Sequence, residues 1–258
     1  MLIDVNNLSF SYNHKPILHG ISVGINEGEQ WAIIGKNGAG KSTLIKCLAG
    51  LEKITSGSIA IAGKRIEIYH AKDIAKLISY VPQVSGRNLP FSVFDYMMMG
   101  RFPYQGFMAI PSAQDKKIVR ESMQLTDTEE FAERKMNTLS GGELQRVFLA
   151  GAVAQKTPIL LLDEPTTFLD PFHQQLIIKT LEKIHTEFNT TIIAVTHDIS
   201  SVIDRYSNIL GLKDGTILFS GKLSKESSES TEIYKKIFEV DFEIAESKNG
   251  RKIILQKI

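Results

Sequence analysis

Eight residues near the start of the chain, Gly35-Lys36-Asn37-Gly38-Ala39-Gly40-Lys41-Ser42, fit the pattern G-x-x-x-x-G-K-[ST]. Their chemistry is that of gripping phosphate. The glycines let backbone N–H groups converge on phosphate oxygens, Lys41 can neutralise β/γ charge, and the Ser42 hydroxyl can ligate Mg²⁺. Context decides whether such a pattern is more than a glycine-rich turn. Here "QWAIIG" reads as a strand before it and "KSTLIKCLAGL" has helical spacing after it, which is strand, loop, helix.

A phosphate loop needs a carboxylate for its metal and a group to act on water. "ILLLDE" offers both: Asp163 ends an apolar strand and can hold Mg²⁺, and Glu164 beside it can serve as general base or water-orienting group. An acidic pair ending a strand is more often merely solvated, but nucleotide sites form at the carboxyl ends of such strands. His197 closes the next apolar run, "TTIIAVTH", and so belongs on the same edge, within reach of a γ-phosphate or the attacking water. The face of Tyr12 could stack on adenine, and strand packing is an equal local alternative.

A second glycine pair lies in "LSGGELQ", residues 139–145. Ser140-Gly141-Gly142-Glu143 is an S-x-x-E capping box, so a well-started helix carrying "LQRVFLAGAVA" explains it locally. A helix start also suits an anion, and the segment alone leaves both readings standing.

The elements that must position these residues follow from patterning. "LIDVNNLSFSY" and "ILHGISVGINEGE" alternate apolar and polar residues and predict half-solvated antiparallel strands. "SGSIAIAGKRI" and "LISYVPQ" read as further strands. From about Asn88 to Gln155 the stretches "VFDYMMMGRF", "DKKIVRESMQL", "TEEFAERKM" and "GELQRVFLAGAVAQK" favour helices without a strand, which predicts an inserted helical lobe. "ILLLDE" and "TTIIAVTH" then resume as buried parallel strands, and Asp214-Gly215 marks a hairpin. The serine-rich "LSKESSESTE" reads as a mobile connection, and the ending as ordered again with a hairpin around Asn249-Gly250.

Composition narrows the partners. Among 258 residues, thirty basic side chains face twenty-nine acidic ones for a formal charge of +1, which argues against nucleic acid. Cys47 is the single cysteine, so no intrachain disulfide is possible, and its apolar neighbours predict a packed thiol. The opening "MLIDVNNLSF" lacks the basic and apolar regions of a signal peptide, and no window approaches the roughly 18 to 20 apolar residues of a membrane span. A role at a membrane is therefore expected to come through a partner.

The order of phosphate loop, Gln83, "LSGGELQ", "LLLDEP", "FLD" and His197 resembles the ATP-binding cassette (ABC) ATPases, and the resemblance covers nearly the whole chain. It implies an α/β fold with a P-loop NTPase core, a mostly parallel sheet, an amino-terminal antiparallel β-subdomain and an inserted α-helical lobe. The chain would be one ABC ATPase domain over 1–258, with the lobe at about 88–155 and a short carboxyl-terminal extension at about 222–258. ATP and Mg²⁺ are the implied cofactors. Gly35, Lys36, Asn37, Gly38, Ala39, Gly40, Lys41, Ser42 and Thr43 would serve the phosphates, and Ser42, Gln83 and Asp163 would surround Mg²⁺. Glu164 would be the catalytic carboxylate, His197 the switch histidine and Tyr12 the adenine-stacking ring. Ser140, Gly141 and Gly142, with Glu143 and Gln145 of the same stretch, would bind the γ-phosphate held by an opposite subunit. Asp170 would lie at the seam of that head-to-tail homodimer.

A separate single cassette without heptads or fused spans most resembles the ATPase subunit of a bacterial importer. The Gln83 region, the "TTFLD" segment with His173-Gln174, and "IYKKIFEVDFEI" are similar to the iron-siderophore, haem and cobalamin group. Thr167-Phe168 stands where the broader family commonly has Ser-Ala. The resemblance thus implies permease subunits docked near Gln83 and residues 84–107, an external binding protein that acts indirectly, and a peripheral place on the cytoplasmic face of the inner membrane. Cobalamin or haem as cargo, and a mechanochemical role without transport, stay open beside a ferric chelate.

Overall fold

The computed structural model describes the chain except for residues 84–88, 107–109, 200–201, 203–204, 224–227, 247–251 and 258. It divides into two compact units, one of Met1–Glu67 with Ile192–Ile258, the other of Ile68–Thr191.

The first unit opens with β1 (Ile3–Tyr12) and β2 (Lys15–Ile25), which pair antiparallel. β1 buries Ile3, Val5, Leu8 and Phe10, so its alternation slips by one at Asn6-Asn7. A register shift in the pairing and a left-handed Asn7 (φ 48°) absorb the extra residue, as a bulge does. β4 (Ser56–Ile61) joins β1, and the stretch expected as one strand folds back at Ala62-Gly63 into the short β5 (Lys64–Arg65). In β3 (Gln30–Ile34) every residue after Gln30 is buried, the pattern of a strand covered on both faces. It runs parallel to β8 (Thr191–Val195) and β9 (Asn208–Lys213). β9 returns through Asp214-Gly215, both at positive φ, into antiparallel β10 (Thr216–Gly221), as the sequence signal predicts. After β3 and its loop comes α1 (Lys41–Leu48), where Cys47 is buried and its thiol pushed up to about 12 by desolvation.

The carboxyl-terminal part of this unit departs from expectation. The serine-rich segment is not a connection throughout: from Ser228 it is α7 (Ser228–Phe238). Ile233, Tyr234 and Ile237 supply an apolar face that packs with Ala32, Ile34, Val202 and Ile209. That burial outweighs the weak helix preference of the serines ahead of it. β11 (Phe242–Glu246) and β12 (Lys252–Gln256) then pair antiparallel, and Asn249-Gly250, read in the sequence as a hairpin turn, lie outside the described residues.

The second unit holds β6 (Ile78–Val81) parallel to β7 (Ile159–Asp163), the latter buried at every residue. The short α2 (Ala71–Ile74) precedes β6. Between the strands come α3 (Val93–Met99), α4 (Ala113–Leu125) and α5 (Gly141–Ala154), and α6 (Pro171–Phe188) follows β7. The described residues between β6 and β7 form no strand, only an isolated bridge between Ser92 and Lys135. "TEEFAERKM" is a correction: instead of a helix it forms 3₁₀ turns at Glu129–Phe131 and Met136–Thr138. Its two buried apolar residues, Phe131 and Met136, are five apart, which on an α-helix would point them about 140° from each other. Tight turns let the chain bury both.

Candidate functional site

The phosphate loop lies wholly in the first unit. Gly35 (φ 155°), Gly38 (φ 82°) and Gly40 (φ 96°) all hold the backbone at positive φ, where a side chain is strained. A Cβ at Gly35 would stand 2.4 Å from the Leu212 carbonyl, and one at Gly40 would stand 2.7 Å from Leu18 Cδ2, so β9 and β2 press the loop into shape. Above Gly38 there is open space for 4 Å. The Lys41 ammonium donates to the carbonyls of Gly35 (2.8 Å) and Lys36 (2.9 Å), which brings its charge back over the loop. α1 starts from Gly40 with no side-chain cap and no acid in its first turn, the kind of helix start that suits a phosphate. Ser42 and Thr43 are half-buried in that turn.

One residue near the loop had no sequence signal. Glu239, just past α7, accepts from Lys36 and, at 2.6 Å, from Lys213. These two lysines pull its carboxyl down to about 2. Tyr12, also in the first unit, is 41% exposed. Its ring meets Phe10 edge-on at 4.6 Å, and its hydroxyl donates to Glu52 at 2.6 Å, which raises its pKa to about 12. One flank is thus packed while much of the ring stays open, which joins the two local readings. His197 follows β8 and the buried Thr196, and is exposed.

The second unit carries the carboxylates. Asp163 is 3% exposed at the carboxyl end of β7, where Tyr80 of β6 donates to it at 3.4 Å. Tyr80 was not foreseen, because only the parallel pairing of β6 with β7 brings it there. Glu164 takes φ 53°, a left-handed conformation uncommon for glutamate, and strain of this kind gathers at working sites. Its carboxylate accepts from the Gln83 amide at 2.9 Å. Two residues read separately in the sequence are therefore one hydrogen-bonded pair.

The second glycine pair opens α5, as the capping box predicts. Ser140 Oγ accepts from the Glu143 N–H (3.3 Å) and the Glu143 carboxylate accepts from the Ser140 N–H (2.7 Å). Glu143 also takes a hydrogen bond from Arg134 at 3.0 Å; the Ser140 N–H, foremost, holds its carboxyl below the ordinary range. Ser140 is exposed, Gly141 half-buried and Gly142 buried. A Cβ on Gly142 would stand 2.5 Å from the His173 ring. Gln145 faces inward at 3% exposure, with no hydrogen-bond partner for its buried Nε2 among the described residues. Asp170 caps α6 by accepting from the His173 N–H (3.0 Å), which with the His173 ring lowers its pKa.

Of the residues read as a docking surface, 84–88 and 107 lie outside the described residues. Met97 and Met98 belong to the core, whereas Phe91, Phe102 and Tyr104 are exposed. No helix among the described residues is long and apolar enough to cross a membrane.

Ser42, Gln83 and Asp163 offer oxygen donors, the kind Mg²⁺ takes, and Mg²⁺ commonly sits on one or two carboxylates plus nucleotide phosphates. No group of three or more His, Cys, Asp or Glu among the described residues could hold a metal by itself. Donors of this kind, taken residue by residue, suit an ion that arrives with a nucleotide.

Comparisons with known proteins agree with this chemistry. Residues 18–167 match the model of the ABC transporter family. The iron(3+)-hydroxamate import ATP-binding protein FhuC of Bacillus subtilis is 34% identical over 94% of this chain and 89% of its own length. A solved inward-facing structure of a candidate metal-chelate type ABC transporter covers 100% of this chain and 98% of its own, at 25% identity and a TM-score of 0.84. The ATP-binding cassette MJ0796, solved as a dimer bound to ADP and Pi, is 30% identical over 86% of this chain and 99% of its own, with a TM-score of 0.75. With a phosphate loop formed by three positive-φ glycines and a strained glutamate tied to Gln83, this chain belongs to the ABC transporter family as an ATP-hydrolysing, ATP-binding subunit.

Proposed function

We propose that the chain is the ATPase subunit of an importer for a ferric siderophore or related metal chelate, working as a head-to-tail homodimer on a separate membrane permease. The cargo reading is supported by the iron(3+)-hydroxamate import relative, whose likeness runs through 94% of this chain. The dimer reading is supported by the dimeric cassette and by the form of the molecule itself: it has two helix starts suited to anions, and each lies in its own compact unit.

Catalysis rests on one observation, the strained Glu164 held by Gln83 at 2.9 Å. Glu164 orients the attacking water and takes its proton while Lys41 and the loop N–H groups meet the charge of the leaving phosphates. Ser42, Gln83 and Asp163 would hold Mg²⁺, which when bound would supply neutralising charge at the phosphates. His197 steadies the γ-phosphate, and Tyr12 stacks on the base. Ser140, Gly141 and Gly142 close on a partner's γ-phosphate, so that binding draws the subunits together and hydrolysis releases them. The exposed Phe91 and Phe102 suit apolar docking to permease helices.

Glu164→Gln should abolish steady-state ATP hydrolysis while ATP converts the variant to a dimer, read by light scattering on a sizing column. Hydrolysis at the parent rate would overturn the catalytic assignment. Reconstitution with a permease and binding protein, followed by uptake of radiolabelled iron as a hydroxamate chelate, tests the cargo.

A further inference from the structure

His173 entered the sequence argument only as part of a resemblance, and ATP hydrolysis gives it no task. Its surroundings do. Asp170 accepts from the His173 N–H with Oδ1 (3.0 Å), and its Oδ2 lies 2.6 Å from His173 Nδ1. Both carboxylate oxygens thus engage one residue. The same ring edge lies against the α5 start: Cδ2, Cγ and Nδ1 stand 2.5, 2.5 and 3.0 Å from where a Cβ of Gly142 would be. Phe172 meets the ring edge-on at 5.5 Å. The His173 side chain is only 22% exposed, whereas that of Asp170 is 59% exposed and open to another surface.

We propose that His173 is a positioning residue that ties Asp170 to the Gly141-Gly142 helix start, so that the two segments face a partner subunit as one rigid piece. The inference rests on the dimer reading above. The ring is what makes the link: it holds the carboxylate on one side and fills the hollow that only a glycine leaves on the other. A shift of the α5 start on meeting phosphate then carries Asp170 with it. His173 touches neither nucleotide nor water in this account, and its contribution is to keep two contact segments in register.

The test separates binding from closure. His173→Ala should lower kcat about tenfold, the scale expected when contact groups lose register, and leave the KM for ATP within about twofold. In the Glu164→Gln background it should raise the protein concentration needed for the ATP-bound dimer by about the same factor. His173→Asn keeps a nitrogen donor for Asp170 without the ring, and should recover part of the loss. Unchanged kcat and unchanged dimerisation in folded His173→Ala would overturn the proposal. So would equal losses in both variants confined to thermal stability. If Glu164→Gln alone forms no dimer with ATP, the dimer reading itself falls and takes this inference with it.

Discussion

Ser140 serves two purposes at one atom. Its Oγ caps α5 by accepting from the Glu143 N–H, and its exposure leaves it available to a ligand. Ser140→Ala should therefore cost about 1 kcal/mol of stability through the lost cap, and depress ATP hydrolysis far more than ATP binding to the isolated chain. Thermal melts, turnover and equilibrium binding on the same preparation check all three. Local spacing made this residue legible, as it did the phosphate loop, because a capping box and a glycine cradle each span only a few positions. The contacts of Gly142 with His173 and of Asp163 with Tyr80 were not legible. They join residues 31 and 83 positions apart, and only the packing of helices and the pairing of strands decides them.

At the scale of elements, the helices between β6 and β7 are joined by a buried ionic clamp. Arg101 donates to Asp115 on α4 at 3.0 Å and to the Ala154 carbonyl at the end of α5 at 2.8 Å, while stacking over Tyr104 at 4.0 Å. Asp115 also completes the capping box of α4, and the Ser112 hydroxyl above all holds its carboxyl below the ordinary range. Because the folded pKa is the lower one, this contribution is fully present above the unfolded value of about 3.9 and fades as pH falls through the folded value. Asp115→Ala should cost about 3 kcal/mol at neutral pH, since it leaves Arg101 buried without its partner, and the cost should shrink below pH 4. Denaturant titrations at pH 7 and pH 3 test this. Periodicity revealed α3, α4 and α5, but it misread the stretch after α4, where two buried apolar residues five apart suit turns and not one helix.

The first unit as a whole is assembled from both ends of the chain. Ala32 and Ile34 of β3, which delivers the phosphate loop, share a buried cluster with Tyr234, Ile237, Phe242 and Ile254. Tyr234 is fully buried, and its hydroxyl has no hydrogen-bond partner among the described residues. Tyr234→Ala should cost about 3 kcal/mol or more, whereas Tyr234→Phe should hold or raise the melting temperature by removing an unpaired polar group. A marked fall for the phenylalanine variant would show that the hydroxyl is satisfied. The fold class was readable from the alternation of strand, loop and helix. The helical role of the serine-rich tail was not, because its apolar face gains meaning only against β3 and β9.

That same cluster sets an order of events during synthesis. The phosphate loop at residues 35–42 is synthesised well before residues 233–254, yet the layer beneath its strand waits for them. A chain stalled or clipped before that point would carry every nucleotide-binding motif named above, with β3 lacking part of its cover. Arrival of residues 233–254 then completes the cover of the strand that delivers the loop, so the footing of the nucleotide site is laid by residues made long after its motifs.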